Sequence, residues 1–326
     1  MSDSATQQAL PIPPYDAELA ALQDTQHRPI PESYEELIGL RQSEPAFDEK
    51  INEDPNLKVQ KLAFSWEGRD IPAITLSRAV PLSEDTLRPG LVFCHGGGRV
   101  MGNVYVGLRS LIDIVKTADA IVLSVDYRLA PDFHGMASIE DCYAGLVWMS
   151  QNLGKFRIDP SRFMIAGASA GGGIAAGTAL LSRDRNGPKL CAQLLICPML
   201  DDRCATLSCR QFDNGRGFYT QWGRYAWRCV LGGEAGAENA NHYVAAARAT
   251  DLSNLPLAYI DVGSGEPFRD EDIAYATKLW ECGVQAHLHV WGGGAHGFDL
   301  FYDCQLGDQA NETRNRWLRT FLAAKP

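Results

Sequence analysis

The chain has 326 residues, of which 45% are hydrophobic and 21% charged, and its 30 basic and 40 acidic residues give a formal net charge of −10. This composition is typical of a globular protein and excludes the disordered and collagen-like classes. An acidic surface repels nucleic-acid phosphates and anionic membranes, so we expect neither as a partner. The length allows one large α/β domain or two smaller domains.

The N-terminus and the cysteines indicate the cellular compartment. Residues 1–10 lack the basic stretch and apolar run of a secretory signal, and no apolar segment is long enough to predict a membrane span. The nine cysteines include no Cys-x-x-Cys pair, and several lie in apolar runs, where cysteine behaves as a small hydrophobic residue. We therefore expect reduced thiols and a cytoplasmic location.

The first 50 residues differ in amino-acid composition from the rest of the chain. They are rich in Pro, Glu and Gln and contain two short amphipathic stretches at 16–23 and 33–42, separated by Pro29 and Pro31. This pattern predicts a helical appendage.

From residue 58 onward, short apolar runs alternate with longer helical patterns, which predicts a mostly parallel sheet flanked by helices. Eight strands are predicted, at 58–66, 71–76, 90–94, 120–125, 162–166, 191–197, 256–262 and 286–291. Five helices are predicted between and after them, at 104–117, 139–152, 170–183, 270–282 and 309–323.

The segment 203–250 interrupts this alternation between two predicted strands. It is too long for a simple loop, and it is rich in arginine, glycine and aromatic residues, so we predict a functional insertion. Phe218 and Trp222 are candidates for contact with a ligand, although at helical spacing such residues also pack an insertion against the core.

A predicted strand, a tight turn and a predicted helix surround Ser169. The turn reads Gly167-Ala168-Ser169-Ala170-Gly171, and this G-x-S-x-G pattern between a strand and a helix is typical of a nucleophile elbow. The pentapeptide alone would fit equally well a small-residue turn that happens to contain serine. The strand and helix around it favour Ser169 as a nucleophile, with the N–H of Ala170 at a helix N-terminus.

A second small-residue loop, His95-Gly96-Gly97-Gly98, follows the predicted strand 90–94. Its N–H groups are free to point at a ligand. A phosphate is an alternative ligand, but the chain lacks the G-x-G-x-x-G and Gly-Lys-Ser/Thr patterns of the phosphate-binding loops here.

Together these two motifs resemble those of the hormone-sensitive-lipase-like branch of the α/β-hydrolase family. Further segments look like landmarks of that family: 126–131, 139–142, 198–202, 268–271 and 296–298. The resemblance implies an α/β-hydrolase fold with a helical cap, in which 1–50 and 203–250 form the cap and 51–202 and 251–326 the catalytic domain. It also implies an oxyanion hole formed by the N–H groups of Gly97, Gly98 and Ala170, with Asp126 and Arg128 supporting the loop.

A serine hydroxyl needs a histidine base, which is oriented by a carboxylate, and the chain order in this fold is serine, acid, histidine. His296 follows the last predicted strand and matches the family's His-Gly-Phe. The family's acid position holds Glu266 here, where an aspartate is usual, and Asp270 is the rival. His287 and His289 alternate along a predicted strand, with a metal site as the less favoured interpretation.

Arg99 replaces the bulky aromatic residue that usually follows the glycine loop in this family. It either binds an anionic group of the substrate, points to solvent or pairs with an acidic residue of the cap.

The resemblance predicts a cofactor-independent, metal-free serine hydrolase that cleaves carboxylic esters of small to medium acyl groups through an acyl-enzyme. Alternative substrates for the same residues are a lactone, an acetylated aromatic metabolite and an aryl formamide. A different class is a non-hydrolytic receptor or lyase on the same fold. Relatives that pair through their edge strand imply a homodimer.

Overall fold

The computed structural model describes residues 10–23, 29–43, 49–214, 217–238 and 240–323. These residues form eight strands: β1 (Leu57–Trp66), β2 (Arg69–Arg78), β3 (Arg88–Cys94), β4 (Ile121–Val125), β5 (Ile158–Ala168), β6 (Ala192–Ile196), β7 (Leu257–Gly263) and β8 (Ala286–Trp291). The strands make one sheet in the order β1-β2-β4-β3-β5-β6-β7-β8.

The helices precede, connect and follow these strands. They are α1 (Ala17–Gln23), α2 (Tyr34–Ser43), α3 (Ile112–Ala118), α4 (Ala137–Gln151), α5 (Leu153–Phe156), α6 (Ala170–Asp184), α7 (Leu207–Gln211), α8 (Thr220–Leu231), α9 (Arg269–Glu281), α10 (Phe298–Phe301) and α11 (Gln305–Phe321). Short 3₁₀ turns lie at Glu49–Glu53, Leu108–Leu111 and Ala246–Arg248.

The mostly parallel sheet predicted from the sequence is confirmed. β1 pairs with β2, and β2 with β4, in antiparallel fashion, whereas every other pairing in the sheet is parallel. Parallel neighbours require crossover connections, and the helices between β3 and β8 supply them. The carboxyl ends of β3, β5, β6, β7 and β8 therefore meet at one edge of the sheet, where ligands bind in open α/β folds.

The helix predicted at 104–117 is wrong over its first part. Residues 104–107 form turns, a 3₁₀ turn follows at Leu108–Leu111, and α3 begins only at Ile112. Gly107, inside the predicted helix, has a positive φ of 87°, which is incompatible with a continuous right-handed helix.

Two apolar layers cover the sheet. One contains buried side chains of α4, α6 and α9, including Ile139, Ile174 and Tyr275. The opposite layer is built from α3 and α11, with Val115 and Leu318 buried against the strands. Because both faces are covered, the central strands are apolar throughout rather than alternating.

A third apolar cluster joins segments far apart in the chain. It includes Leu37 of α2 and Trp222 and Trp227 of α8, together with Val100 and Ala170 beside the two sequence motifs. The assignment of 1–50 and 203–250 to a cap stays a prediction, as do the domain boundaries. Within those segments, residues 1–9, 24–28, 44–48, 215–216 and 239 lie outside the described part of the chain.

Among the described residues, no helix combines the length and the apolar character needed to cross a bilayer. The cytoplasmic location and the homodimer stay predictions.

A buried ion-pair cluster connects α11 to the edge of the sheet. Nε and Nη2 of Arg314 donate to Oδ2 of Asp261, at 3.1 and 2.7 Å, and Nη2 also pairs with Asp299. All three side chains are at most 3% exposed. Burial raises the pKa of Asp261 to about 7, against the opposing effect of Arg314. The cluster therefore holds together β7 and α10, the elements that flank residues 264–297.

We expect Arg314→Met to lower the free energy of unfolding by about 3–5 kcal/mol, because two buried carboxylates lose their cation. The loss should grow above about pH 7, the pKa of Asp261 in the wild-type protein, because there Asp261 is ionised beside Arg314 in the wild type, whereas in the variant it has no counter-ion. Chemical denaturation at several pH values measures both effects.

Arg319→Met on the same helix is the matched control. Arg319 is 35% exposed and pairs with Asp113 and Glu312 at the surface, so its loss should cost about 1 kcal/mol or less. Equal losses in the two variants would contradict a special role for the buried cluster.

Candidate active site

Ser169 lies in a sharp turn between β5 and α6. Its backbone has φ 55° and ψ −121°, a strained conformation for a residue with a side chain. The turn is held by the Ser169 N–H, which donates to the Ile196 carbonyl at 2.7 Å, and by the Met199 N–H, which donates to the Ser169 carbonyl at 2.9 Å. The hydroxyl is thereby presented beyond the carboxyl end of β5.

Two glycines make this turn possible. A Cβ on Gly167 would lie 2.1 Å from the carbonyl oxygen of Gly171, and a Cβ on Gly171 would lie 2.0 Å from the carbonyl oxygen of Cys94. Both positions therefore require glycine, because strand, helix and the end of β3 approach each other this closely.

Three side chains from distant parts of the chain form a hydrogen-bonded relay. Ser169 Oγ lies 2.8 Å from His296 Nε2, and His296 Nδ1 lies 2.5 Å from Glu266 Oε2. Glu266 is fully buried, and its Oε1 accepts the N–H of Gly263 at 3.3 Å. The three residues proposed from the sequence as nucleophile, base and acid are thus in contact in this order.

Asp270, the rival acid, lies in the first turn of α9 and has other partners. Its Oδ2 accepts the N–H of Ser208 at 2.7 Å, and its Oδ1 accepts Nε of Arg269 at 2.7 Å. These contacts connect α9 to α7 and leave Glu266 as the carboxylate in contact with the histidine.

The glycine loop after β3 lines the same cavity as Ser169 and His296. Gly97 and Gly98 both have positive φ, at 115° and 65°, and a Cβ on Gly97 would lie 2.2 Å from the carbonyl oxygen of Met101. Ala170 is the first residue of α6, so its N–H is one of the N–H groups without a partner in the helix. Gly97 and Gly98 thus lie with the first residue of α6 around Ser169, and the oxyanion hole predicted from their N–H groups and that of Ala170 stays a prediction.

The support of this loop differs from the prediction. Asp126 is exposed, and Arg128 donates through Nε and Nη2 to the carboxylate of Asp141. Tyr127 supports the loop instead: its hydroxyl donates to the carbonyl of His95 at 2.7 Å, and its ring stacks on the His95 ring at 4.1 Å. Burial lowers the pKa of His95 to about 4, so this ring is neutral near pH 7 and Nδ1–H donates to the Gly96 carbonyl.

The cavity above Ser169 has a volume of about 220 Å³ and is mostly apolar. The side chains of Phe218 and Trp222 line it, and their contact with a ligand stays a prediction. Among the described residues that line the cavity, His296 and Tyr302 are the two with a titratable side chain, and the lining contains no aspartate, glutamate, lysine or arginine. Leu300, Phe301 and Tyr302 were missed, because nothing in their local pattern indicates that the chain after His296 turns back over the serine.

Two phenylalanines contact the imidazole of His296. The ring centroid of Phe218 lies 4.5 Å from that of His296, and the Phe268 centroid lies 5.2 Å away in an edge-on arrangement. Phe268 was not predicted as a site residue. Its contact depends on the loop between β7 and α9, for which the sequence carries no periodic signal.

Arg99 occupies a place that none of the three expectations described. Its side chain is 1% exposed and does not line the cavity; Nη2 donates to the carbonyl of Val244 at 2.9 Å, and the guanidinium lies 5.3 Å from the ring centroid of Trp227. Nε and Nη1 have no hydrogen-bond partner among the described residues. Burial lowers the pKa of Arg99 to about 10. The prediction of contact with substrate is therefore wrong, because the side chain is turned under the residues of α8.

The site combines a serine, a histidine and a buried carboxylate, in contact at the carboxyl edge of a parallel sheet and beside a glycine loop. This arrangement defines the serine-hydrolase class of α/β folds.

Comparisons with known proteins agree with this class. A family model described as the α/β-hydrolase fold matches residues 91–300. Esterase LipI of Mycobacterium tuberculosis is 34% identical over 252 residues, which cover 75% of this chain and 76% of that protein.

An arylesterase of Saccharolobus solfataricus is 28% identical over 251 residues, or 76% of this chain and 79% of that one. Among solved structures, esterase LipW from Mycobacterium marinum has a TM-score of 0.83 and 29% identity, covering 96% of this chain and 99% of that chain. A bacterial heroin esterase has a TM-score of 0.78 and 28% identity, covering 96% and 95%. The chain belongs to the hormone-sensitive-lipase-like branch of the α/β-hydrolase family and is a hydrolase of the carboxylesterase type.

We expect Glu266→Gln to lower kcat by a factor on the order of 10² to 10⁴, because the imidazolium formed during the reaction loses its buried counter-charge. Asp270→Asn is the matched control: it should keep kcat within about threefold and lower the free energy of unfolding by about 1–2 kcal/mol. Steady-state kinetics and chemical denaturation of both variants give the comparison. The opposite pattern would make Asp270 the acid.

We expect Arg99→Met to change kcat/KM for a neutral and an anionic ester by the same factor, to within about twofold, since the guanidinium lies outside the cavity. The pair p-nitrophenyl butyrate and p-nitrophenyl hemisuccinate tests this. Methionine retains the length of the side chain and meets the same positive φ of 61° as arginine. A loss confined to the anionic ester would restore Arg99 as a substrate contact.

Proposed function

We propose that this protein hydrolyses carboxylic esters with small to medium acyl groups through an acyl-enzyme. The observation that carries the proposal is the relay from Ser169 Oγ through His296 to Glu266, at 2.8 and 2.5 Å, in an apolar cavity. These distances lie within hydrogen-bond reach, as nucleophilic catalysis by a serine requires.

In the first half of the reaction, Ser169 Oγ attacks the ester carbonyl carbon while its proton passes to His296 Nε2. The carbonyl oxygen becomes an oxyanion, which accepts hydrogen bonds from the N–H groups of Gly97, Gly98 and Ala170. When the intermediate collapses, the bond to the alcohol oxygen breaks. The alcohol then takes the proton from His296 and leaves.

In the second half, a water molecule replaces the alcohol. His296 Nε2 takes a proton from the water as its oxygen attacks the acyl carbon, and it returns that proton to Ser169 Oγ as the carboxylic acid leaves. Glu266 keeps its hydrogen bond to His296 Nδ1 and stabilises the imidazolium that forms twice per turnover. The steps use only groups of this chain and water.

The cavity supports a limit on the acyl group. A volume of about 220 Å³ is below the range of roughly 300–1,000 Å³ that is usual for drug-sized ligands. Its lining of Met101, Val106, Phe218 and Trp222 favours an uncharged, apolar group. Arg99 does not supply an anion-binding group in this cavity.

An aromatic ester is favoured over a purely aliphatic one by the rings around the cavity. Phe218, Trp222, Phe301 and Tyr302 line it, and aromatic pairs add about 0.5–1.5 kcal/mol beyond burial. The similarity to a protein named arylesterase agrees with this preference. A lactone, an acetylated aromatic metabolite and an aryl formamide remain alternative substrates for the same relay.

A non-hydrolytic receptor or lyase on this fold is the alternative from another class. Such a protein has no need of all three relay groups in hydrogen-bond contact, and they are in contact here. Binding of an ester without turnover would support that class.

We expect the purified protein to hydrolyse p-nitrophenyl acetate and butyrate faster than the octanoate, and Ser169→Ala to lower these rates by a factor on the order of 10³ or more. Mass spectrometry after rapid quenching should find the acyl group on Ser169. Rates that survive the substitution would contradict the proposal, whereas absence of turnover in both proteins would direct the search to lactones, formamides or binding alone.

A further inference from the structure

Cys197 lies beside the relay and has no part in the proposed reaction. It directly follows β6 with a positive φ of 38°, and its N–H donates to the carbonyl of Asp261 at 2.7 Å. Its side chain is buried and it forms no disulfide. The preceding residue, Ile196, accepts the N–H of Ser169, so the thiol sits at the edge of the sheet where the site is built.

The thiol forms a three-residue cluster with the acid and base of the relay. Cys197 Sγ, a carboxylate oxygen of Glu266 and a ring nitrogen of His296 all lie within 4.8 Å of one another. The three residues follow three neighbouring parallel strands, β6, β7 and β8. Among the described residues this is the group of three suited to hold a metal ion.

Sulfur, imidazole nitrogen and carboxylate oxygen are the ligand atoms that Zn²⁺ prefers, and three protein ligands with a solvent molecule in the fourth position is a common zinc geometry. Bond lengths of about 2.3 Å to sulfur and about 2.0 Å to nitrogen and oxygen place the ligand atoms roughly 3–3.5 Å apart. Since the three atoms lie within 4.8 Å of one another, each needs to move by only about 1 Å to reach the spacing of zinc ligands.

The charges around the cluster favour a cation. A thiolate and a carboxylate neutralise a divalent ion, so the filled site is uncharged and suited to burial. Asp272 is fully buried nearby, and both of its carboxyl oxygens lack a hydrogen-bond partner among the described residues; burial first, and then the carboxylates of Glu271 and Glu266, raises its pKa. Burial first, and then Glu266, raises the pKa of the Cys197 thiol.

We propose that Cys197, Glu266 and His296 form an inhibitory site for a thiophilic divalent cation such as Zn²⁺ or Cd²⁺. On binding, Cys197 releases its thiol proton to solvent, and the sulfur, a Glu266 oxygen and a His296 ring nitrogen each donate an electron pair to the cation. The inhibition by the cation rests on the proposed esterase function, whereas the binding of the cation does not depend on that function.

The cation stops catalysis because His296 needs both ring nitrogens. One accepts the proton of Ser169 while the other keeps its N–H bond to Glu266. A cation on either nitrogen removes one of these roles, and it also takes Glu266 away from the imidazolium.

The first experiment measures inhibition of p-nitrophenyl butyrate hydrolysis by Zn²⁺, Cd²⁺ and Mg²⁺, with each rate divided by that of the same variant without added cation. Zn²⁺ and Cd²⁺ should inhibit the wild-type protein and be reversed by a chelator, whereas Mg²⁺, which prefers oxygen ligands, should not inhibit. Cys197→Ser should raise the half-inhibitory concentration at least about tenfold, since hydroxyl is a poor ligand for these ions.

Cys282→Ser is the matched control. Cys282 is a half-buried cysteine at the end of α9, where its sulfur accepts the N–H of Leu252 at 3.4 Å. The Cys282→Ser variant should be inhibited by Zn²⁺ and Cd²⁺ at the same concentrations as the wild-type protein. Equal sensitivity of the Cys197 and Cys282 variants would overturn the proposal, as would a wild-type enzyme that the two thiophilic ions do not inhibit.

The second experiment needs no turnover, so it separates failure of this proposal from failure of the esterase proposal. Cd²⁺ is titrated into the Ser169→Ala protein, with calorimetry and the ultraviolet thiolate-to-cadmium charge-transfer band as readouts. Binding with this band should be present, and it should be lost in Ser169→Ala/Cys197→Ala. Binding that persists in the double variant would overturn the proposal and direct attention to other ligands, such as His287 and His289 on β8.

Discussion

The close approach of three backbone segments at the carboxyl edge of the sheet is the constraint on which the site depends. At Gly167 and Gly171 even a methyl group would overlap a carbonyl oxygen, at 2.1 and 2.0 Å. This contact forces the positive φ of Ser169 and brings the start of α6 against the loop after β3. A nucleophile, a helix N-terminus and a glycine loop are therefore placed together by packing of the backbone rather than by side-chain contacts.

The positions of Glu266 and His296 depend on a second constraint, which is the burial of charged side chains at the otherwise apolar carboxyl edge of the sheet. Glu266 is fully buried, and its hydrogen bonds go to His296 and to the Gly263 N–H. The nearby Arg314, with its two aspartates, holds β7 and α10 on either side of this pair. Because a buried carboxylate without partners is costly, these contacts define one geometry for the loops that carry Glu266 and His296.

Arg99 illustrates how the same edge excludes charge from the substrate cavity. Its guanidinium interacts with the Trp227 ring and the Val244 carbonyl, both from the segment 203–250, and lies beneath α8 instead of facing Ser169. The cavity is therefore apolar even though an arginine directly follows the glycine loop. On the other side of the relay, Cys197 lies with Glu266 and His296 in a cluster whose ligand atoms are within 4.8 Å of one another, and this buried cluster is where we propose the cation site.

The sequence predicts the features that depend on interactions between residues close together in the chain, and it does not predict those that depend on contacts between distant segments. Strand and helix periodicity, the glycine requirement of the elbow and the order of serine, acid and histidine are local or motif-based signals. The sequence by itself therefore determined the sheet, Ser169 and its loop, and Glu266 and His296 as candidates that the fold brings into contact. The start of the helix at Ile112 was mispredicted, because the left-handed backbone conformation of Gly107 outweighs the apolar spacing around it. Only the tertiary structure decided that Tyr127 supports the glycine loop, that Phe268 contacts His296, that Arg99 is buried and that Cys197 adjoins the relay. Each of these depends on side chains that meet across neighbouring strands or from a separate helix, and no local pattern records which distant segment a side chain will contact.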